Sequence, residues 1–144
     1  MKDEIAVEFK SCINYMLTVA QHEVFQHLAT MLEVYDITPG QYGILNYLWE
    51  NQHGTPKELA QALALETSTI SGVLDRMQKK GLIDRQIAPN DRRSILVVPT
   101  PEGEAIKDGV LEIVEELNRE VLKDISPEEK DTLFSCLRRI GHIE

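Results

Sequence analysis

The sequence predicts a mainly α-helical fold with one small β-hairpin: a winged helix-turn-helix flanked by long helices at both ends of the chain. Three observations predict it. Residues 55–81 hold two amphipathic segments joined by a short connection and stopped by Gly81. After Gly81 the apolar pattern changes period, and two β-branched runs follow around a Pro-Asn turn signal. Four of the six prolines, Pro39, Pro56, Pro101 and Pro127, follow a Ser or Thr, the signature of a capped helix start.

Residues from about Asp3 to Tyr35 contain no Pro or Gly and predict one long helix. Its apolar residues Phe9, Ile13, Met16, Leu17, Ala20, Leu28, Met31, Leu32 and Tyr35 recur at helical spacing. Val7, Val19, Val24 and Phe25 widen that face enough to predict burial against more than one neighbour. Thr38-Pro39-Gly40-Gln41 opens a second helix that runs to about Gln52, with Tyr42, Leu45, Leu48 and Trp49 inward. Thr55-Pro56-Lys57-Glu58 opens a third, with Glu58 closing a capping box and Leu59, Ala60 and Leu63 inward. Leu65 falls in the connection. The fourth helix starts at Glu66 or Thr67 and carries the buried stripe Ile70, Val73, Leu74 and Met77. Lys79, Lys80 and Gly81 end it, with cations on the last turn and then a residue suited to a left-handed cap.

Strands are expected over 82–87 and 94–98, joined by a basic loop, Ala88-Pro89-Asn90-Asp91-Arg92-Arg93. Thr100-Pro101 then opens a helix to about Asp124, carrying Ile106, Val110, Val114, Leu117 and Val121 beneath an acidic outer surface. Ser126-Pro127-Glu128-Glu129 caps the last helix, which carries Leu133, Phe134, Leu137 and Ile140 and ends at Gly141. Apolar helices at both ends, with no central core to absorb them, imply a partner. The 144 residues therefore read as one subunit, with 38–98 as the winged helix and 1–37 and 99–144 as dimerisation helices.

The exposed side of the fourth helix shows Ser68, Thr69, Ser71, Gly72, Asp75, Arg76 and Lys79. Small hydroxyl residues permit close approach to base edges in a major groove, and late cations suit phosphates. A net charge of −9, taken whole, opposes such a partner, so its distribution decides. Residues 1–54 carry −5 and residues 99–144 carry −6, whereas 55–98 carry +2, with six cations against two acids inside 76–93. The cations lie where DNA is expected, on an otherwise acidic body. Arg76 also has Asp75 and Glu58 as surface ion-pair partners within reach, and Lys79 and Lys80 also fit a solvated last turn. Arg92 and Arg93 at a Pro-Asn turn suit a minor-groove probe, with Asp91 orienting Arg93 by a charge-assisted bond.

Hydrophobic residues at 42% and charged ones at 27% exclude a disordered chain. No apolar run reaches the ~20 residues of a membrane span. The acidic start Met1-Lys2-Asp3-Glu4 lacks a secretory core, which points to the cytoplasm. Enzyme signals are weak, and no catalytic residue or cofactor is assigned. His22 and His27 approach a His-Glu-x-x-His motif, but a five-residue step turns about 140° around a helix, too far for one metal ion.

The runs Ser68-Thr69-Ile70-Ser71, Asp75 to Ile83, Asp91-Arg92-Arg93-Ser94 and Thr100-Pro101-Glu102-Gly103 resemble the MarR family of bacterial transcriptional regulators. The resemblance covers essentially the whole chain. It implies a homodimer interlocked through its terminal helices, bound to a pseudo-palindromic operator in double-stranded DNA. The implied DNA-contacting set is Ser68, Thr69, Ser71, Gly72, Arg76, Lys79, Asp91, Arg92 and Arg93. Gly72 departs from the many members that carry Arg there. The resemblance further implies repression relieved by a small lipophilic or aromatic effector, for which Tyr15, His22, Tyr42 and Trp49 are the candidate lining. Two alternatives are a winged-helix protein-interaction adaptor and a thiol-based redox sensor. Relatives that sense peroxides use a Cys on the first helix; it would fall at Asn14 here, half a turn from Cys12, and their assisting tyrosines would fall at Leu28 and Pro39.

Overall fold

A computed structural model describes residues 8–144, which form seven α-helices and one hairpin. In chain order these are α1 (Ile13–Leu32), α2 (Pro39–Asn51), α3 (Pro56–Ala62), α4 (Thr67–Lys79), β1 (Ile83–Ala88), β2 (Asp91–Pro99), α5 (Pro101–Ala105), α6 (Lys107–Val121) and α7 (Pro127–Gly141). Residues 3–7, expected in the first helix, lie outside the described part. Where it is described, that helix begins later than expected. A 3-10 turn, Phe9–Ser11, precedes an extended Cys12, and α1 starts at Ile13. A second 3-10 turn, Glu33–Tyr35, ends at Asp36 in the left-handed region.

The four Ser/Thr-Pro starts all cap helices. Thr38, Thr55, Thr100 and Ser126 each accept a hydrogen bond from the backbone N–H three residues on. The reciprocal half of the box is present at Gln41 and Glu129. At α3 it is not: the Glu58 carboxylate accepts instead from Tyr47 Oη at 3.3 Å, so the expected capping box is one-sided.

One core joins the helix-turn-helix to its flanks. Leu32 of α1, Ile44, Leu45 and Leu48 of α2, Leu59 of α3, Ile70, Leu74 and Met77 of α4, Ile83 of β1, Val97 of β2 and Val110 of α6 are all buried. The strands pair antiparallel, with Ile83 opposite Pro99 and Arg85 opposite Val97, and a bulge falls between Ile87 and Ala88. Gly54, between α2 and α3, exchanges backbone hydrogen bonds with Val97 at 3.1 and 2.8 Å, pinning the root of the hairpin.

The helix expected over 101–124 is broken at Ile106 and ends at Val121. Each part has its own seat. Gly103 lies so close to the Leu82 carbonyl that a Cβ there would collide with it, while α6 turns away to run along α1. The outer helices keep large apolar faces uncovered: Phe9 is 71% exposed, Ile13 59%, Met16 52% and Ile140 52%. An open apolar cavity of about 700 Å³ lies between α1, α6 and α7, lined by Leu17, Val24, Phe25, Leu117, Val121 and Leu133, among others.

Candidate nucleic-acid interface

The α3–α4 turn has to reverse the chain within a few residues, and sequence offered no glycine for it. Ala64 takes the left-handed conformation instead, with φ +53°. Helix α4 then begins at Thr67 without a side-chain cap from Glu66 and buries Ile70, Val73, Leu74 and Met77 beneath it. The opposite side is open. Ser68, Thr69, Ser71, Asp75, Arg76 and Lys79 are exposed, and Gly72 is half-buried among them. These are the residues expected to face the major groove, and the helix brings all seven to one side.

Which cations are free was not legible in sequence. Asp75 does not pair with Arg76. Its carboxylate accepts from Arg85 Nη2 at 2.6 Å, while Arg85 Nε donates to Gln78 Oε1, also at 2.6 Å. Arg85 on β1 thereby grips α4 with both sides of its guanidinium and ties the wing to the helix. Glu58 is occupied by Tyr47. Arg76 therefore has no carboxylate partner among the described residues. Its guanidinium lies back along the helix over Gly72, where a Cβ would sit 3.6 Å from Nη1 and 3.8 Å from Nη2, in ordinary contact. Lys79 is likewise unpaired among the described residues. Lys80 is not, since its ammonium donates to the Asp36 carbonyl and to Gln41.

The hairpin tip is smaller than expected. Strand β2 begins at Asp91, so the loop is Pro89-Asn90 alone, and Arg92 and Arg93 stand on the strand. The register jumps from Ile87 opposite Ile95 to Ala88 opposite Asp91, so Arg92, Arg93 and Ser94 bulge out of the pairing. Both arginines are exposed, and neither meets a carboxylate within ion-pair distance among the described residues. The expected side-chain bond from Asp91 to the Arg93 guanidinium is absent. Asp91 Oδ1 accepts from the Arg93 backbone N–H at 2.9 Å, and Oδ2 from Ser94 Oγ at 3.1 Å. Asp91 thus fixes the strand's path and leaves the Arg93 head group free.

The four effector candidates separate. Tyr15 packs on Phe9, with ring centroids 4.4 Å apart, and His22 is exposed about two turns further along α1. Tyr42 is half-buried on α2, where burial first and then Glu50 push its phenol pKa up. Trp49 is only 8% exposed, and its Nε1–H donates to the Gly103 carbonyl at 3.1 Å. Trp49 is a core strut, and none of the four lines the apolar cavity between α1, α6 and α7. His27, read in sequence only as a failed metal motif, joins α1 to α6 through Glu120, Nε2 to Oε2 at 2.5 Å.

A helix-turn-helix followed by a tethered two-stranded wing, with its free cations on one side, defines a winged-helix DNA-binding transcriptional regulator. The chain belongs to the MarR family: residues 37–95 match the MarR family model, and a relative reaches 31% identity over three quarters of both chains. That relative is the organic hydroperoxide resistance transcriptional regulator of Bacillus subtilis (strain 168), aligned over 77% of this chain and 74% of its own. A solved structure of a probable transcriptional regulator from Pseudomonas aeruginosa is 31% identical, with a TM-score of 0.86 over 92% of this chain and 99% of that one. A mutant of MarR from E. coli, solved in complex with operator DNA, is 28% identical, with a TM-score of 0.85 over 94% and 99% of the two chains.

Proposed function

We propose that this chain is a homodimeric, sequence-specific repressor that leaves its operator when a small lipophilic or aromatic effector binds. It works in the cytoplasm and has no catalytic role. One observation carries the reading. Asp75 is engaged by Arg85 and Glu58 accepts from Tyr47, and among the described residues no carboxylate lies within ion-pair distance of Arg76, Lys79, Arg92 or Arg93, which keep their charge for an outside partner. Cations beside hydroxyls on α4 favour DNA over an interaction adaptor, whose surface would be mainly apolar; here the exposed apolar pair Ile87 and Ile95 is confined to the hairpin.

Thr69 and Ser71 read base edges, with Ser68 and Gly72 allowing close approach. Arg76 and Lys79 meet the backbone, and Arg92 and Arg93 enter the flanking minor groove. Residues 38–98 form the DNA-binding part, and the helices on either side form the dimer. The uncovered apolar residues of α1 and α7 support that division, because a solvated monomer has no use for them. The two recognition helices then meet half-sites about one DNA turn, ~10 bp, apart. Tyr15, His22 and Tyr42 remain candidates to line the effector site, with Trp49 shaping it from the core.

Fluorescence anisotropy with a duplex from the chain's own upstream intergenic region tests the reading. Specific binding is expected at least about 10³-fold tighter than to random duplex at physiological salt. Light scattering should give a dimer of the 16.4 kDa chain. A panel of phenolic acids and acyl-CoA compounds should contain one that weakens the complex. Equal affinity for both duplexes would end the repressor reading.

A further inference from the structure

Lys79 and Lys80 are adjacent and carry the same charge, yet they do different things. Lys80 Nζ donates to the Asp36 carbonyl at 2.5 Å and to Gln41 Oε1 at 3.1 Å, and lies 3.9 Å from Asp36 Oδ1. These acceptors flank the joint between α1 and α2, 44 and 39 residues upstream. The two acceptors differ in setting, since Asp36 is exposed and Gln41 is not. Gln41 is 2% exposed, and the same Oε1 accepts from the Thr38 backbone N–H in the α2 cap. Asp36 closes the 3-10 turn that continues α1, in the left-handed conformation.

The residues just after Lys80 are held from the other side. Thr100 Oγ1 donates to the Gly81 carbonyl at 2.6 Å, the Thr100 backbone N–H donates to the Leu82 carbonyl at 3.1 Å, and Gly103 seats α5 against that same carbonyl. The C-terminal end of α4 is thus clamped between the segments that lead to α1 and to α6. Its N-terminal end has no side-chain cap. Ile70 is fully buried near that end, so packing seats the helix there while polar contacts hold its C-terminal end.

We propose that Lys80 is a positioning residue: it fixes the angle of α4 to α1, and through it the spacing of the two recognition helices, without touching phosphate. Two of its three N–H donors are already held by Asp36 and Gln41, which ties the ammonium to the α1–α2 joint. The consequence for DNA rests on the repressor reading above; the consequence for helix geometry does not.

The test separates the two. In a Cys12→Ser, Cys136→Ser background, spin labels at Glu23→Cys on α1 and Thr67→Cys on α4 report their separation within one subunit. The doubly labelled chain is diluted into excess unlabelled protein. Lys80→Met is expected to broaden the distance distribution, whereas Gln41→Glu, which keeps both accepted bonds, and Lys79→Ala should leave it narrow. On DNA, operators with the half-sites moved by one base pair either way should discriminate strongly for the wild type and weakly for Lys80→Met. Affinity for the native spacing should fall about tenfold if the competent geometry drops to a tenth of the population, at an unchanged salt slope. An unaltered distance distribution overturns the proposal, as does a salt slope lowered by about one unit with spacing preference intact, which would make Lys80 a phosphate contact. Failure of the wild type to bind any duplex would sink the repressor reading while the spin-label distances still decide on Lys80.

Discussion

Ala64 and Gly81 form a matched pair of backbone tests at the two ends of α4. Ala64 holds φ +53° in the turn before α4, and Gly81 holds φ +77° just after it. For an L-residue the left-handed conformation costs about 1–2 kcal/mol, because Cβ crowds the following carbonyl oxygen. Glycine escapes that cost but loses more backbone freedom on folding, about 0.5–1 kcal/mol relative to alanine. Ala64→Gly should therefore stabilise by roughly 0.5–1 kcal/mol. The Ala64 methyl is exposed and the backbone bond from Ala64 N–H to the Gln61 carbonyl is retained, so no packing term opposes the gain. Gly81→Ala should destabilise by a similar amount, since nothing lies within 4 Å of the added Cβ and only the dihedral matters. Urea denaturation at one fixed protein concentration measures both, with midpoints moving in opposite directions at unchanged slope. Loss of stability in Ala64→Gly, or none in Gly81→Ala, would refute the reasoning.

Other expectations follow from particular contacts. Burial raises the Tyr42 phenol pKa above 10.0, so the folded state favours the neutral form. That contribution is present below the unfolded pKa near 10 and is lost as pH rises through the higher folded value, so Tyr42→Phe should flatten the alkaline fall in stability. Arg85→Ala should cost under about 1 kcal/mol in denaturant, because the pair with Asp75 is partly exposed, yet it should weaken operator binding by freeing the wing from α4. Replacing Cys12 and Cys136 together by Ser should leave DNA affinity unchanged with or without peroxide. Release of the wild type but not the double variant by peroxide would favour the redox reading.

Much of this was written in the residues. The Ser/Thr-Pro starts mark helices because a capping hydroxyl and a fixed proline φ act locally, and α2, α3, α5 and α7 begin where they indicate. The α4 stripe was equally plain, since one face of one helix is a matter of spacing. What depended on distant partners was not. Gly103 and Gly109 flank the break at Ile106, but what they approach, the Leu82 carbonyl and the Tyr35 ring, comes from distant parts of the chain. Asp75 looked like a partner for its neighbour Arg76, but the hairpin delivers Arg85 to it from ten residues away. Trp49 read as a possible ligand wall until the Gly103 carbonyl claimed its indole N–H. Lys80 read as a cation of the helix's last turn, outside the DNA-contacting set, because only the folded chain brings Asp36 and Gln41 beneath it.

The central claim is that the free cations of α4 and the wing meet DNA in different roles. One titration series tests it most directly: wild type, Lys79→Ala and Arg93→Ala on operator, flank-swapped operator and random duplex, each at several salt concentrations. Lys79→Ala should weaken all three duplexes alike and lower the salt slope by about one unit. Arg93→Ala should cost roughly 1–3 kcal/mol on the operator, most where the flanks are A·T-rich and the minor groove is narrow. Unchanged affinity and slope in both variants would contradict the claim outright, and equal losses for Arg93→Ala on all three duplexes would reduce the wing to a phosphate clamp.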